Sequence, residues 1–150
     1  MSELSELYQE VILDHNRSPR NFHKLEDANR VAAGNNPLCG DQVTVYARVE
    51  DDVIRDISFE GRGCAIAKAS ASMMTASLKG KTTAEANELF ESVRRMLTGN
   101  GEGDGAAAEL GRLAVLAGVR QYPVRVKCAT LGWHALRAAL QGQGGNVSTE

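Results

Sequence analysis

The chain has 150 residues, 17 Lys and Arg against 19 Asp and Glu, a formal net charge of -2, and 43% hydrophobic content. That length suits one domain, residues 1–150, with a core that needs no disulfide staples, and the near-balanced charge gives no field to hold nucleic acid or an anionic membrane. Three cysteines are an odd count, which argues against a disulfide framework and for metal ligands or nucleophiles in a reducing compartment.

Ser5 to Asp14 reads as a first helix, because Leu4, Leu7, Val11 and Ile12 recur at helical spacing and Ser2 or Ser5 can cap it. Pro19 ends that pattern. Val31–Ala33 reads as a short strand leading into a loop, Gly34 to Asp41. Val43, Val45, Ala47 and Val49 alternate with Thr44, Tyr46 and Arg48, Asp51-Asp52 make a turn, and Val53–Phe59 returns. That is an antiparallel hairpin. From Cys64 the period becomes helical, with Ala65, Ala69, Ser72, Met73 and Ala76 on a close-packing face that ends at Gly80. Thr82-Thr83-Ala84-Glu85 is a capping box for a helix to about Leu97. Thr98–Gly105 reads as a glycine-rich loop, Ala106–Ala117 as another helix, Val124–Val126 as a short extended segment, and Cys128 to Leu140 as the last helix. Residues 1–4 and 142–150 read as frayed tails. The order predicts an α+β fold, a small antiparallel three-stranded sheet packed against helices.

No leader or spanning segment is expected. Met1–Glu10 carries three glutamates and no basic residue, and the longest apolar run, Leu113–Val119, falls far short of the about 20 residues of a spanning helix. A cytoplasmic protein is expected.

The cysteines carry the chemistry. Cys39 lies in Asn36-Pro37-Leu38-Cys39-Gly40-Asp41, where a kinked loop can aim Cys39 and Asp41 at one point. Cys64 follows Gly61-Arg62-Gly63 at a strand-to-helix junction, and Cys128 is placed at the start of the last helix. The positive end of a helix dipole favours thiolate at both. Three thiolates and a carboxylate, Cys39, Asp41, Cys64 and Cys128, make a set acceptable to tetrahedral zinc. A lone cysteine is more often a small core residue, but these three share a position at element boundaries. Gly61-x-Gly63 does not extend to a dinucleotide fingerprint, since the third glycine position falls on Ile66. Ser70 and Ser72 suit a packing face, Met73, Met74 and Met96 suit the core, and Trp133 is expected to be partly buried. His15, His23 and His134 are alternative ligands.

The motifs Asn36–Asp41, Gly61–Ile66, Pro123–Leu131 and Leu7–His15 with Pro19-Arg20-Asn21, taken together, resemble the IscU-like family over about Leu7 to Leu140. Within it the chain is more similar to the SufU branch. It has an extra segment, about Thr98 to Tyr122, between the second and third cysteines, and Lys127 stands where cluster scaffolds carry histidine. The resemblance implies a zinc-dependent sulfurtransferase that takes persulfide sulfur from a SufS-type, PLP-dependent cysteine desulfurase and passes it to downstream Suf cluster-assembly proteins. It implies Cys39 as sulfur acceptor and Cys39, Asp41, Cys64 and Cys128 as zinc ligands, with a desulfurase histidine replacing Cys39 on the metal. Arg125 and Lys127 are either attractors of the anionic persulfide or solvated charges. The alternatives are a scaffold holding a [2Fe–2S] cluster on the same cysteines and a protein whose zinc is only structural.

Overall fold

The computed structural model describes residues 3–36, 40–98, 113, 116, 118–119, 122–142 and 146–148. The elements run α1 (Glu3–Arg17), β1 (Arg30–Asn36), β2 (Asp41–Glu50), β3 (Val53–Arg62), α2 (Ala65–Leu78), α3 (Thr83–Thr98), α4 (Pro123–Leu140) and β4 (Asn146–Ser148). The first three strands are antiparallel in the order β3-β2-β1, as the period-2 pattern requires. Val43, Val45, Ala47 and Val49 of β2 all face inward and are buried. Asp51 and Asp52 both take positive φ, 53° and 63°, the twist that a two-residue hairpin demands.

One face of this sheet is covered by helices. α4 packs on β1 and β2, and α2 packs between α1 and α4. The small residues of α2 make that approach possible: Ala69, Ser70, Ala71 and Ser72 are all buried. Gly132 of α4 meets the same surface, where an added Cβ would sit 3.2 Å from that of Ala71. The serines also bond. Ser70 Oγ donates to the Ala129 carbonyl at 2.6 Å and accepts from Trp133 Nε1 at 3.2 Å, joining α2 to α4. Ser72 Oγ lies 2.7 Å from His15 Nδ1 and accepts from the Arg20 N–H at 2.8 Å, fastening α1 and its exit to α2. The expected capping box is present: Thr82 N–H donates to Glu85 Oε1 at 2.9 Å and Glu85 N–H to Thr82 Oγ1 at 3.0 Å.

Five expectations change. Glu3 and Leu4, read as tail, belong to α1, which also runs on past Asp14 to Arg17. β1 is longer than Val31–Ala33 and runs to Asn36. Its inward residues, Ala32, Gly34 and Asn36, are too small or polar to register as an apolar alternation. Val124–Val126 is helical, because Pro123 serves as a first-turn residue of α4 and not as a break. Trp133 is fully buried, stacked on Phe90 at a centroid distance of 6.3 Å. Asn146–Ser148, read as tail, pairs in parallel with Ala33–Asn35; three residues are too few for a periodicity to show. Most of the helix expected over Ala106–Ala117, and the loop Thr98–Gly105 beyond Thr98, lie outside the described residues. Leu113, Leu116 and Val119 are nevertheless core residues.

Ser70→Ala would leave the buried Trp133 Nε1–H without its acceptor and remove the side-chain donor to the Ala129 carbonyl. The expected loss is about 1–3 kcal/mol, read as a lower urea midpoint with an unchanged slope.

Candidate metal centre

Asp41 organises the centre. It opens β2, directly across from Asn36, the last residue of β1, so a connection of residues 37–40 closes the hairpin. Gly40 takes φ 72° there. The Asp41 side chain points inward and is fully buried. Its Oδ1 accepts the Cys64 backbone N–H at 2.8 Å, and its Oδ2 lies 3.8 Å from Cys64 Sγ. Room for the carboxylate comes from Gly63, whose φ is 152° and where a Cβ would collide with Asp41 Oδ1. Gly61 does the same service for the strand pair, since a Cβ there would strike the Gln42 carbonyl.

The two described sulfurs reach the carboxylate from different elements. Cys64 is the N-cap of α2, and its Sγ accepts the Ala67 N–H at 3.5 Å. A sulfur in this place meets the positive end of the helix, as expected. Cys128 differs from expectation: α4 starts at Pro123, so Cys128 lies in the second turn, beyond the strongest part of the dipole. It is fully buried, with Val124 O 3.7 Å from Sγ and the Asn36 side-chain amide nitrogen 3.6 Å from it.

One ligand atom from each of Asp41, Cys64 and Cys128 lies within 4.8 Å of the others. Ligands about 2.0–2.3 Å from a tetrahedral ion stand about 3.5 Å apart, so the 3.8 Å from Cys64 Sγ to Asp41 Oδ2 is close to a bound geometry. A fully buried carboxylate with one backbone donor and no ion pair among the described residues is a place where a cation would offset the cost of burying charge. The donor set fits a metal ion.

Three of the four residues singled out from the sequence thus converge, and the fourth, Cys39, lies outside the described residues. The alternative histidines do not join them. His15 is bonded to Ser72, His23 is exposed with Nδ1 3.0 Å from the Lys24 carbonyl, and His134 meets the edge of Phe90 at 5.1 Å. Burial, with help from Arg137 and Arg94, pushes the His134 pKa below its ordinary 6.5. Arg125 is exposed and Lys127 half-buried. A groove of about 560 Å³ lined by Gln9, Ile12, Leu13, Ala65, Ile66, Tyr122 and Arg125 runs beside the start of α2. Sequence reasoning missed Asn36 as a participant. The available signal was a polar side chain at an inward position of β1.

Comparison with known proteins gives the family. A family model described as the NifU-like N-terminal domain matches residues 7–129. The zinc-dependent sulfurtransferase SufU of Bacillus subtilis is 40% identical over 97% of each chain. The iron–sulfur cluster assembly scaffold protein IscU of Streptococcus pyogenes is also 40% identical, over 94% of this chain and 87% of its own. Among solved structures, FiSufU from Fervidobacterium islandicum superimposes with a TM-score of 0.81 at 38% identity, covering 90% of this chain and 97% of that one.

Two outcomes are expected. Gly63→Ala should destabilise the fold more than Gly40→Ala in denaturant unfolding. Both positions have positive φ, at a cost of about 1–2 kcal/mol for an alanine, but only Gly63 also displaces Asp41, while no atom of the described residues lies within 4 Å of a Cβ at Gly40. For His134, the unfolded chain binds more protons than the folded one between the depressed folded pKa and 6.5. Stability should therefore fall as the pH is lowered through that window, and His134→Gln should flatten the slope of unfolding free energy against pH.

Proposed function

The chain belongs to the NifU-like N-terminal domain family, and from that premise we propose that it is a zinc-dependent sulfurtransferase serving iron–sulfur cluster assembly. Cys39 is the sulfur acceptor, and Cys39, Asp41, Cys64 and Cys128 are the zinc ligands. The partner is a SufS-type, PLP-dependent cysteine desulfurase, with downstream Suf proteins taking the sulfur in the cytoplasm. The single observation that carries this reading is the convergence of Asp41, Cys64 and Cys128 within 4.8 Å, with the Asp41 carboxylate buried. Chain connectivity supports the fourth ligand: Cys39 is two residues from Asp41, so their Cα atoms are within about 7 Å.

Zinc in this site supplies a redox-silent charge that keeps thiols deprotonated. The remaining roles belong to the chain. Cys64 and Cys128 are fixed by α2 and α4, whereas Cys39 belongs to the connection between β1 and β2 and is the ligand suited to leave. Its thiolate attacks the outer sulfur of the donor's persulfide. A new S–S bond forms on Cys39, the donor's S–S bond breaks, and the donor cysteine departs as thiolate. Lys127 supports transfer over cluster scaffolding, since it stands where scaffolds of the family carry a histidine.

A second reading, a scaffold for a [2Fe–2S] cluster, is favoured by the relatives named IscU. Metal analysis separates the two. A colourless protein with about one zinc per chain supports transfer, and a brown, iron-loaded protein isolated without oxygen overturns it.

Incubation with a SufS-type desulfurase and cysteine, followed by mass spectrometry, should find added sulfur on Cys39. Cys39→Ser should stay folded, keep part of its zinc and bind the desulfurase, yet accept no sulfur. Cys64→Ser and Cys128→Ser should lose zinc and unfold at lower temperature, because bound metal stabilises by mass action. Sulfur accepted normally by Cys39→Ser but not by Cys128→Ser would transfer the acceptor role to Cys128.

A further inference from the structure

We infer that Asn36 is the positioning residue of the metal centre, its side-chain amide holding the Cys128 sulfur in place as a ligand. The inference rests on the metal reading above and concerns this chain's own residues. Asn36 is fully buried, and its Nδ2 lies 3.6 Å from Cys128 Sγ across 92 residues of sequence. The other end of the same amide, Oδ1, has no hydrogen-bond partner among the described residues. A buried acceptor left unpaired is unfavourable, and such groups in native structures ask for a reason. An apolar residue of similar size would remove that penalty. What it could not do is donate to a sulfur.

The backbone brings this amide to its place by several independent constraints. The alternation of β1 turns Ala32, Gly34 and Asn36 inward. The residue before a proline is confined to extended conformations, which holds Asn36 in the strand up to Pro37. The register sets Asn36 opposite the ligand Asp41. Gly34 lets α4 approach β1 closely, since a Cβ there would come within 2.9 Å of Leu131 Cδ1, and Leu131 is one helical turn from Cys128. The centre is therefore backed by matched donors: Cys64 Sγ receives the Ala67 backbone N–H, and Cys128 Sγ receives the Asn36 amide. An N–H directed at a thiolate fixes the lone pair left for the metal and draws charge from the sulfur. In a protein that moves sulfur between thiols, this keeps Cys128 a ligand and a poor competitor for the persulfide.

The test uses the full chain freed of metal and titrated with cobalt(II) chloride, following the thiolate-to-cobalt absorption and the affinity in competition with a chromophoric chelator. Asn36→Leu and Asn36→Ala should bind cobalt roughly 10–100-fold more weakly, with a displaced charge-transfer band. The metal-free Asn36→Leu protein should unfold at the same urea concentration as the parent or a higher one, because the orphaned acceptor is gone. Ser58→Ala removes the other buried side-chain oxygen without a partner among the described residues, on β3 opposite Tyr46, and should leave the cobalt spectrum unchanged. Parent-like affinity and spectrum in both Asn36 variants overturns the inference while leaving the metal reading intact. Loss of the folded metal-free state in both variants assigns Asn36 to the fold and also overturns it. Failure of the unsubstituted protein to take up cobalt overturns the metal reading itself, and the inference with it.

Discussion

The bond from the Cys64 backbone N–H to Asp41 Oδ1 is the constraint on which the rest of the centre depends. It joins the start of β2 to the turn between β3 and α2, 23 residues on. A carboxylate can reach that N–H only because position 63 has no side chain. The same bond orients the N-cap of α2, so the sulfur of Cys64 and the oxygens of Asp41 are set by one geometry and not by two. α4 then contributes Cys128 from the far side. The centre is a three-way junction of sheet, turn and helix.

Polar groups inside α2 perform a related task for the helical layer. Ser70, Ser72 and Thr75 are buried, yet each is bonded to a neighbouring element. A helix built from alanine, serine and methionine lets its neighbours come close, and directional bonds then fix the angle at which they do so. Apolar burial alone would leave α1 free to slide, since burial has no preferred direction.

Much of this was legible in the sequence, and the reasons are particular. The β2–β3 hairpin shows because Val43 to Val49 alternate cleanly and two aspartates suit its turn. α3 shows because Thr82 and Glu85 bond reciprocally at a fixed spacing. Cys64 shows as a cap because Gly61-Arg62-Gly63 breaks the strand just before a helical pattern starts. The start of α4 was hidden, since Val124 and Val126 favour strands and Pro123 is as much a first-turn residue as a break. Asn36 was hidden for a different reason. Its partner is 92 residues away, and nothing local distinguishes a buried amide aimed at a sulfur from a loop asparagine beside a proline.

The spread of the three described ligands along the chain has a consequence for how the molecule is made. Asp41 and Cys64 are synthesised early and belong to neighbouring elements, so their half of the centre can form from local contacts. Cys128 arrives with the last helix. Contacts of such long sequence separation form late, because the closure of a long loop must precede them. A nascent chain therefore carries an incomplete, two-armed arrangement between the synthesis of Cys64 and that of Cys128, with α2 bare on the side that α4 will cover. Under the metal reading proposed above, capture of an ion would act as a completion signal, since only a chain translated to its final helix, and docked, brings Asp41, Cys64 and Cys128 together.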